Sequence, residues 1–324
     1  MTSPLAGPDH DLAERRHLGN TDLQVTSICI GGGPLGGMNA VFGYDTPSEQ
    51  AVATVLKAFA SPFGFLDTAA GYSGGESERR MGAAIARAGG LPSNMVLATK
   101  VDPDPVTGEY TGASTRRSIE ASLERLGVDR IELLHLHDPE QISFAAGMAD
   151  DGPVAELVRM RDEGIAGHLG VAGGPPSVLM KYLETGVFEA LLTHNRWTLA
   201  DRTADALIDY AASNGIGIIN AAPFGGGVLA QGTRNVDTYC YSPMSAETRA
   251  AIEAVSAVCE REAIPLGAAA LQFSMRDPRI TSTVVGVSKP ERVAQTQQWA
   301  KFDIADSVWQ EILAASGRDA GLPA

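Results

Sequence analysis

The 324-residue sequence is poor in cysteine, in histidine and in positive charge. Its three cysteines, Cys29, Cys240 and Cys259, are widely spaced and form no C-x-x-C motif. This pattern fits a reducing cytoplasm better than a disulfide-stabilised secreted protein. The net charge of −14 disfavours nucleic acid and anionic membrane surfaces as partners. The composition therefore favours a cytoplasmic protein that binds neither nucleic acid nor membranes.

Long apolar runs are also missing. No segment approaches the ~18 consecutive apolar residues of a membrane span, and the N-terminal MTSPLAGPDHDLAERR lacks the apolar stretch of a signal peptide. We expect residues 1–14 to be a disordered leader. Residues 15–324 are expected to form one domain, because no linker or low-complexity segment divides them. The sequence predicts no membrane association and leaves the oligomeric state open.

What the sequence does contain is a regular alternation of short apolar segments with amphipathic helical segments. The helical segments begin with acidic or hydroxyl residues and end at glycine, as at Gly127. Repeated strand–helix units of this kind predict an α/β fold, the (β/α)8 TIM barrel, with an open, doubly wound sheet as the alternative. The eight predicted strands span residues 27–33, 64–69, 95–101, 131–137, 167–173, 189–195, 215–223 and 280–288.

Two further segments lie outside these units. RRHLGNTDLQV predicts an N-terminal β-hairpin with Gly19 and Asn20 at its turn, which could close the bottom of a barrel. SVWQEILAASG predicts an extra amphipathic helix near the C-terminus.

A glycine motif, Gly31-x-Gly33-x-x-Gly36, matches the dinucleotide-binding fingerprint and follows the first predicted strand. The fingerprint requires a helix that begins within it and points its N-terminus at the pyrophosphate. Here Pro34 interrupts, and the next helical pattern begins near Ser48. We therefore interpret the motif as a glycine loop at the barrel mouth, where a ligand can approach the backbone.

His135 and His137 form a His-x-His pair on the fourth predicted strand. Alternation along a strand places both imidazoles on one side, as a metal site would require. However, only six histidines exist, and His10 and His17 fall in the leader and the hairpin. We predict no metal, and expect His135 to be packed deeper in the barrel.

Four polar residues lie at or just beyond the ends of successive predicted strands. Asp67 ends the second strand and Tyr72 follows it, while Lys100 and His137 end the third and fourth. In a barrel all four would face the carboxyl-terminal mouth, where catalytic residues of this fold lie. A lysine and an aspartate at inner strand ends are costly unless they pair with each other. The four residues are therefore candidates for one catalytic set.

The chemistry of this set is proton transfer to or from an oxygen. A tyrosine has a reference pKa of about 10, and a nearby Lys100 ammonium is expected to lower that of Tyr72, with Asp67 holding Lys100 charged. His137 could orient a carbonyl oxygen or relay the proton. Because the set has neither a strong nucleophile nor a metal, an external hydride donor is its natural complement.

At these residues the sequence resembles the aldo-keto reductases. FLDTAAGYSGGESERRMGAAI carries the family's aspartate and tyrosine at Asp67 and Tyr72, LATKV its lysine at Lys100, and LLHLHDPE its histidine at His137. The similarity runs from RHLGNTDLQV to about Arg292. It implies a (β/α)8 barrel that binds a nicotinamide cofactor in extended form without a Rossmann domain.

The resemblance also implies where the cofactor binds. The segment VVGVSKPERVAQTQ corresponds to the one with which the family holds the adenosine phosphate at a helix N-terminus. Three of its residues could bind a 2′-phosphate, which favours NADP(H) with NAD(H) as the alternative. The expected cofactor contacts are Gly33, Asn195, Pro223, Phe224, Gly225, Gly227, Gly286, Ser288, Lys289, Arg292 and Gln295, of which Ser288, Lys289 and Arg292 would hold the phosphate.

The sequence departs from the family pattern in two places. Ala172-Gly173 stands where many members have Ser-Asn, and an alanine in NAAPFGGGVLA replaces the frequent tyrosine that stacks on nicotinamide. Asn195 or its neighbour His194 would then contact the carboxamide, and His194 and Trp197 are expected in the substrate pocket. THNRWTLADR and INAAPFGGGVLA resemble the branch of D-threo-aldose and L-galactose 1-dehydrogenases and pyridoxal dehydrogenases, which implies a sugar-like substrate.

Two functions of other classes stay open at this point. A non-catalytic, cofactor-binding regulatory subunit would retain the barrel and its cofactor. A metal-dependent barrel hydrolase would use the pair His135 and His137. The complete four-residue set favours the oxidoreductase.

Overall fold

The computed structural model describes residues 11–37 and 43–317. Eight of its strands are parallel to their neighbours and close into a barrel in the order β12–β3–β4–β5–β6–β7–β8–β9, with β12 also pairing with β9. The predicted TIM barrel is confirmed, and the open sheet is wrong. The barrel strands are β3 Ile28–Gly31, β4 Phe65–Asp67, β5 Val96–Val101, β6 Ile131–His137, β7 Ala166–Gly173, β8 Ala190–His194, β9 Gly217–Ala221 and β12 Ser282–Gly286.

Alternation along each strand divides the side chains between two environments. One set fills the barrel interior, for example Cys29, Phe65, Ala98, Leu133 and Ile219. The other set packs outward against the helices in the larger core cluster. By the same alternation, the last interior positions of β4, β5 and β6 fall on the aspartate, lysine and histidine predicted to be catalytic.

The helices surround this sheet, and several have clear start and stop signals. Thr111 caps one helix by accepting a hydrogen bond from the Ser114 amide, and Gly127 ends it with a φ of 68°. Among the described residues, no helix is long and apolar enough to cross a membrane. The helices, α1 to α12 in order, are Ser48–Phe59, Glu76–Arg87, Gly112–Leu126, Phe144–Gly147, Pro153–Asp162, Pro176–Leu183, Asp205–Ser213, Val228–Gln231, Ala246–Arg261, Leu266–Met275, Pro290–Ala300 and Asp306–Ala315.

The N-terminal hairpin closes the bottom of the barrel. Its strands β1 (Arg15–His17) and β2 (Gln24–Thr26) are antiparallel, and the turn between them contains Gly19 at a φ of 59°. Leu18 is fully buried in the interior cluster, and the Asn20 amide donates to the Gly215 carbonyl just before β9. The predicted hairpin and the predicted extra helix α12 are both present. A second short hairpin, β10 (Thr238–Tyr239) with β11 (Ser242–Pro243), follows α8.

Element boundaries differ from the predictions in two ways. The structure describes the chain from Asp11, and Leu12 is 2% exposed within the core, so residues 11–14 belong to the fold and not to a leader. Residues 1–10 lie outside the described part. Several strands are also shorter than predicted. At the ends of β8 and β9 the next residue, Asn195 or Ala222, adopts a positive φ that ends the extended backbone.

The glycine motif does not form a dinucleotide-binding turn. Gly33–Gly36 is a short 3-10 helix after β3, and Gly37 ends it in the left-handed region. The next α-helix of the described chain is α1, which begins at Ser48. Pro34 thus interrupts the motif as the sequence predicted, and among the described residues the motif lacks the α-helix start that the dinucleotide fingerprint requires.

Candidate active site

A buried ion pair connects the ends of β4 and β5. Lys100 Nζ lies 2.7 Å from Asp67 Oδ2, and their side chains are 1% and 4% exposed. The same ammonium donates to the Thr68 carbonyl at 2.7 Å and to Tyr72 Oη at 3.3 Å. The structure therefore brings three of the four predicted residues into direct contact.

Tyr72 is placed by the loop between β4 and α2. Ser73, Gly74 and Gly75 all have positive φ values, which fold the chain tightly back toward the start of the helix. The Tyr72 ring lies under the Lys100 ammonium, 4.8 Å from Nζ to the ring centroid. Its hydroxyl thus sits beside a fixed positive charge.

The charges of this cluster follow from burial and pairing. Burial lowers the pKa of Lys100, but Asp67 and Tyr72 together outweigh burial and raise the pKa above its ordinary value, so the ammonium stays charged. Burial raises the pKa of Tyr72 to about 12, although the Lys100 ammonium acts in the opposite direction. The expectation that Lys100 would bring the pKa of Tyr72 below its ordinary value is therefore wrong, because burial of the hydroxyl has the larger effect.

His137, the fourth residue, lies at the end of β6 next to Tyr72. The two ring centroids are 5.7 Å apart and the planes meet at 80°. His137 Nδ1 is 2.7 Å from Asp102 Oδ1, and Tyr110 Oη lies 3.1 Å from the His137 amide nitrogen and 2.8 Å from the Val101 carbonyl. All four predicted residues therefore share the mouth of the barrel.

The sequence analysis missed Asp102. A signal was present, since Asp102 follows Lys100 by two residues and strand alternation places both on the interior face.

His135 lies deeper in the barrel interior, as predicted. It is fully buried, and neither ring nitrogen has a hydrogen-bond partner among the described residues. Burial lowers the pKa of His135 well below its ordinary value, so the ring is neutral. Within residues 11–37 and 43–317, no group of three or more histidine, cysteine, aspartate or glutamate side chains is arranged to hold a metal ion. This geometry does not support a metal-dependent hydrolase.

The two residues predicted to line the substrate pocket lie in different parts of the structure. His194, at the end of β8, is 35% exposed at the mouth, and its Nε2 lies 3.6 Å from Asp138 Oδ1. Trp197 is 2% exposed and packs against Phe273 in the outer core, with ring centroids 5.5 Å apart. Trp197 is therefore a packing residue, and its assignment to the substrate pocket is wrong.

The predicted cofactor residues fall mainly on three neighbouring segments. Strands β9, β12 and β3 are adjacent in the barrel, so the residues that follow them meet at one side of the mouth. A Cβ added at Gly286 would lie 3.1 Å from the Pro34 ring, so the loops after β12 and β3 are in close approach. The segment after β9 contributes Pro223, which is buried, and Phe224, Gly225 and Gly227 of a short 3-10 turn.

The phosphate-binding candidates lie around the start of α11. Lys289 is its N-cap and is exposed, while Ser288 and Arg292 are half-buried beside it. The Ser288 carbonyl accepts a hydrogen bond from Gln50 Nε2 at 2.7 Å, which ties this segment to α1. Arg292 donates to the Gln295 side chain. Ser288, Lys289, Arg292 and Gln295 thus form one polar surface at a helix N-terminus.

Comparison with known protein families shows which family this barrel belongs to. A model of the aldo/keto reductase family matches residues 27–316, which is most of the chain. The chain belongs to the aldo/keto reductase family.

Among relatives within the aldo/keto reductases, L-galactose dehydrogenase of Arabidopsis thaliana is 32% identical over 286 residues, or 87% of this chain and 86% of the relative. D-threo-aldose 1-dehydrogenase of a Pseudomonas species is 30% identical over 82% of this chain and 88% of its own. Pyridoxal 4-dehydrogenase of Microbacterium luteolum is 26% identical over 92% of this chain and 96% of its own. The resemblance noted from the sequence is confirmed.

The fold agrees with the same assignment. An aldo-keto reductase from Bacillus halodurans, solved in its holo form, superimposes with a TM-score of 0.73 over 93% of this chain and 96% of its own. At 20% sequence identity this likeness concerns the barrel alone.

Proposed function

We propose that the protein is an NAD(P)-dependent oxidoreductase that transfers a hydride between nicotinamide and a sugar-type aldehyde or lactol. The observation that carries the proposal is the contact of Lys100 Nζ with both Asp67 and Tyr72 Oη. It places a fixed positive charge next to the only hydroxyl of the four-residue set. That arrangement serves the transfer of a proton to a substrate oxygen.

Each residue of the set has a separate role. Tyr72 is neutral in the free protein because its pKa is about 12, so it is a proton donor in the reduction direction. Lys100 stabilises the tyrosinate that remains after the proton has left, and Asp67 keeps Lys100 charged and in place. His137 faces the same oxygen from β6 and orients it. In the oxidation direction the proton returns to Tyr72.

A nicotinamide cofactor, when bound, supplies or accepts the hydride. Two observations support its fit to these residues. Asn195 is 5% exposed and donates to His194 Nδ1 at 3.1 Å, while its Oδ1 is buried without a partner among the described residues. A carboxamide N–H group would satisfy that acceptor. At the other end, Gly286 is exposed beside Pro34 and leaves a narrow cradle that a Cβ would fill.

NADP(H) is favoured over NAD(H) by the charge around the start of α11. Exposed Lys289 and half-buried Arg292 present two positive charges next to the helix N-terminus. The positive end of the helix dipole also favours an anion there. A 2′-phosphate would therefore find two cations beside the start of this helix.

A sugar-type substrate is supported by the polarity of the mouth and by the relatives. Asp138 lies between His137 and His194, with its Oδ1 3.9 Å and 3.6 Å from their Nε2 atoms. These groups offer both donors and acceptors, as a substrate with several hydroxyl groups requires. Two relatives of 30% identity or more, L-galactose dehydrogenase and D-threo-aldose 1-dehydrogenase, are named as sugar dehydrogenases.

The test is a titration of the purified protein with NADPH and NADH, followed by turnover on a panel of aldoses in both directions. We expect binding detected by tryptophan fluorescence, tighter for NADPH, and turnover that requires Tyr72. Binding of neither cofactor would refute the proposal. Turnover of small aromatic aldehydes without activity on any sugar would refute the substrate class while leaving the oxidoreductase intact.

A further inference from the structure

The Asp102 side chain joins three parts of the barrel mouth: the end of β5, the end of β6 and the loop that carries Tyr72. It directly follows β5, its Oδ1 lies 2.7 Å from His137 Nδ1 at the end of β6, and its Oδ2 accepts from the Gly71 amide at 2.5 Å. Gly71 immediately precedes Tyr72. One half-buried carboxylate, 14% exposed, therefore contacts both the histidine and the loop of the tyrosine.

This contact determines which nitrogen of His137 carries a proton. An ionised carboxylate can only accept hydrogen bonds, so Nδ1 must be the donor to Asp102. Nε2 is then the atom left for a ligand. Its nearest acidic neighbour, Asp138 Oδ1, is 3.9 Å away, which is too far for a hydrogen bond. The neutral ring would therefore present a lone pair at Nε2. Only the imidazolium presents an N–H group at Nε2.

The surroundings of His137 favour the imidazolium. Burial disfavours it, but the Asp102 carboxylate, and more weakly Asp138, outweigh burial and raise the pKa of His137 above its ordinary value. Lys100 acts in the opposite direction. The titratable or charged groups around the ring are Asp67 on β4, Tyr72 in the following loop, Lys100, Asp102 and Tyr110 on and after β5, His135 and Asp138 on and after β6, and His194 beyond Asp138.

We propose that Asp102 is a positioning residue that holds His137 with Nδ1 as a fixed donor and, through its charge, keeps an N–H group at Nε2 directed to the substrate oxygen. This inference rests on the proposed function. In the reduction direction, Nε2–H donates a hydrogen bond to the carbonyl oxygen while Tyr72 Oη transfers its proton to that oxygen. His137 itself loses no proton in the step.

The direct test measures His137 in the free protein, without cofactor. The ring resonances are assigned by NMR with His137→Gln and titrated in the wild type and in Asp102→Asn. Because an opposite charge in contact shifts a pKa by about 1–3 units, we expect the pKa of His137 to fall by about one unit or more in the variant. An unchanged His137 titration would overturn the proposal.

Asp104→Asn is the matched control. Asp104 lies two residues further on, and its carboxylate accepts from the amides of Val106 and Thr107 instead of contacting the mouth. This variant should leave the His137 titration unchanged. If Asp104→Asn shifted the pKa of His137 as much as Asp102→Asn does, any nearby negative charge would have the same effect. That result would overturn the specific role of Asp102.

Turnover measurements show whether Asp102 affects catalysis through its contact with His137 or through its contact with Gly71. In Asp102→Asn we expect the alkaline limb of the reduction pH profile to move to lower pH with the His137 pKa. We also expect kcat to fall about tenfold, the order of one lost hydrogen bond to a charged group, with cofactor Kd unchanged. In a His137→Gln background the same change should have little further effect. An equally large effect there would show that Asp102 acts on the Tyr72 loop, and would refute the proposal.

The two proposals fail separately. If the wild type binds neither NADPH nor NADH, the proposed function is refuted, while the NMR titration still reports whether Asp102 controls His137. If cofactor binding and turnover are present but the titration and profile do not respond to Asp102→Asn, only the role of Asp102 is refuted.

Discussion

Lys100 Nζ lies 2.7 Å from Asp67 Oδ2, and both side chains are buried in the barrel interior. The ammonium has three N–H donors, and three acceptors surround it: this carboxylate, the Thr68 carbonyl and Tyr72 Oη. A fully satisfied buried charge of this kind has one fixed position. The site thus holds its positive charge ready beside the tyrosine hydroxyl.

Removing Lys100 should therefore cost stability as well as activity. Lys100→Met leaves the Asp67 carboxylate buried without its counter-ion, and breaking a buried pair in this way costs about 3–5 kcal/mol. Adding Asp67→Asn removes that uncompensated charge, so the double variant should be more stable than Lys100→Met alone. Both would be inactive. Urea denaturation at neutral pH measures the free energies of unfolding.

Lys57→Met is the control for this series. Lys57 is exposed on α1, so its replacement should change the free energy of unfolding by no more than about 0.5 kcal/mol. If Lys100→Met were as stable as Lys57→Met, the buried ion pair would not have the predicted effect.

Tyr72→Phe removes only the hydroxyl that donates the proton. Because positioned acid–base groups contribute about 10²–10⁴-fold, we expect kcat to fall by at least a hundredfold in both reaction directions. The ring remains to contact Lys100 and His137, so the cofactor Kd should stay within twofold of the wild type, roughly the spread of neutral surface changes. Retention of substantial turnover would rule out Tyr72 as the proton-transfer residue.

The high pKa of Tyr72 predicts an alkaline titration that is visible by ultraviolet absorbance. Burial raises this pKa from 10.0 to about 12, so the folded protein keeps Tyr72 protonated where an unfolded chain would ionise it. The stability gained from the neutral hydroxyl is present below pH 10 and is lost as pH rises toward 12. Wild type and Tyr72→Phe should therefore give equal tyrosinate absorbance near pH 10 and differ only above it.

Arg292→Gln should discriminate between the two cofactors. A hydrogen bond to a charged group contributes about 1.5–3 kcal/mol, so loss of a 2′-phosphate contact should weaken NADPH binding by about 10- to 150-fold. NADH binding should change much less. Lys301→Gln is the control, because Lys301 is exposed at the opposite end of the same helix α11. Equal weakening of both cofactors by Arg292→Gln would refute the phosphate assignment.

The sequence alone predicted much of the fold and of the site for one reason. Short apolar segments alternate with amphipathic ones, and parallel strands bring their carboxyl ends to one edge. Residues at those ends, such as Asp67, Lys100 and His137, are therefore grouped by the sequence pattern alone. Pairing of a buried lysine with a buried aspartate followed from the cost of burying either one alone.

Other features depended on contacts between distant segments. Closure of the barrel rests on the pairing of β12 with β3 and β9, which strand patterns do not encode because open and closed sheets share the same periodicity. The burial of Trp197 against Phe273 and of Leu12 in the core has the same origin. A lone aromatic or leucine next to a predicted element carries no local sign of its partner.

The sequence by itself determined the order of strands and helices and the four polar residues at the mouth, because these follow from local periodicity and residue type. Only the tertiary structure decided the electrostatics. The pKa of Tyr72 rises because burial outweighs Lys100, and His137 contacts Asp102 because β5 and β6 are neighbours in the barrel. Burial and charge–charge distance are properties of the packed chain, and neither can be read from spacing along it.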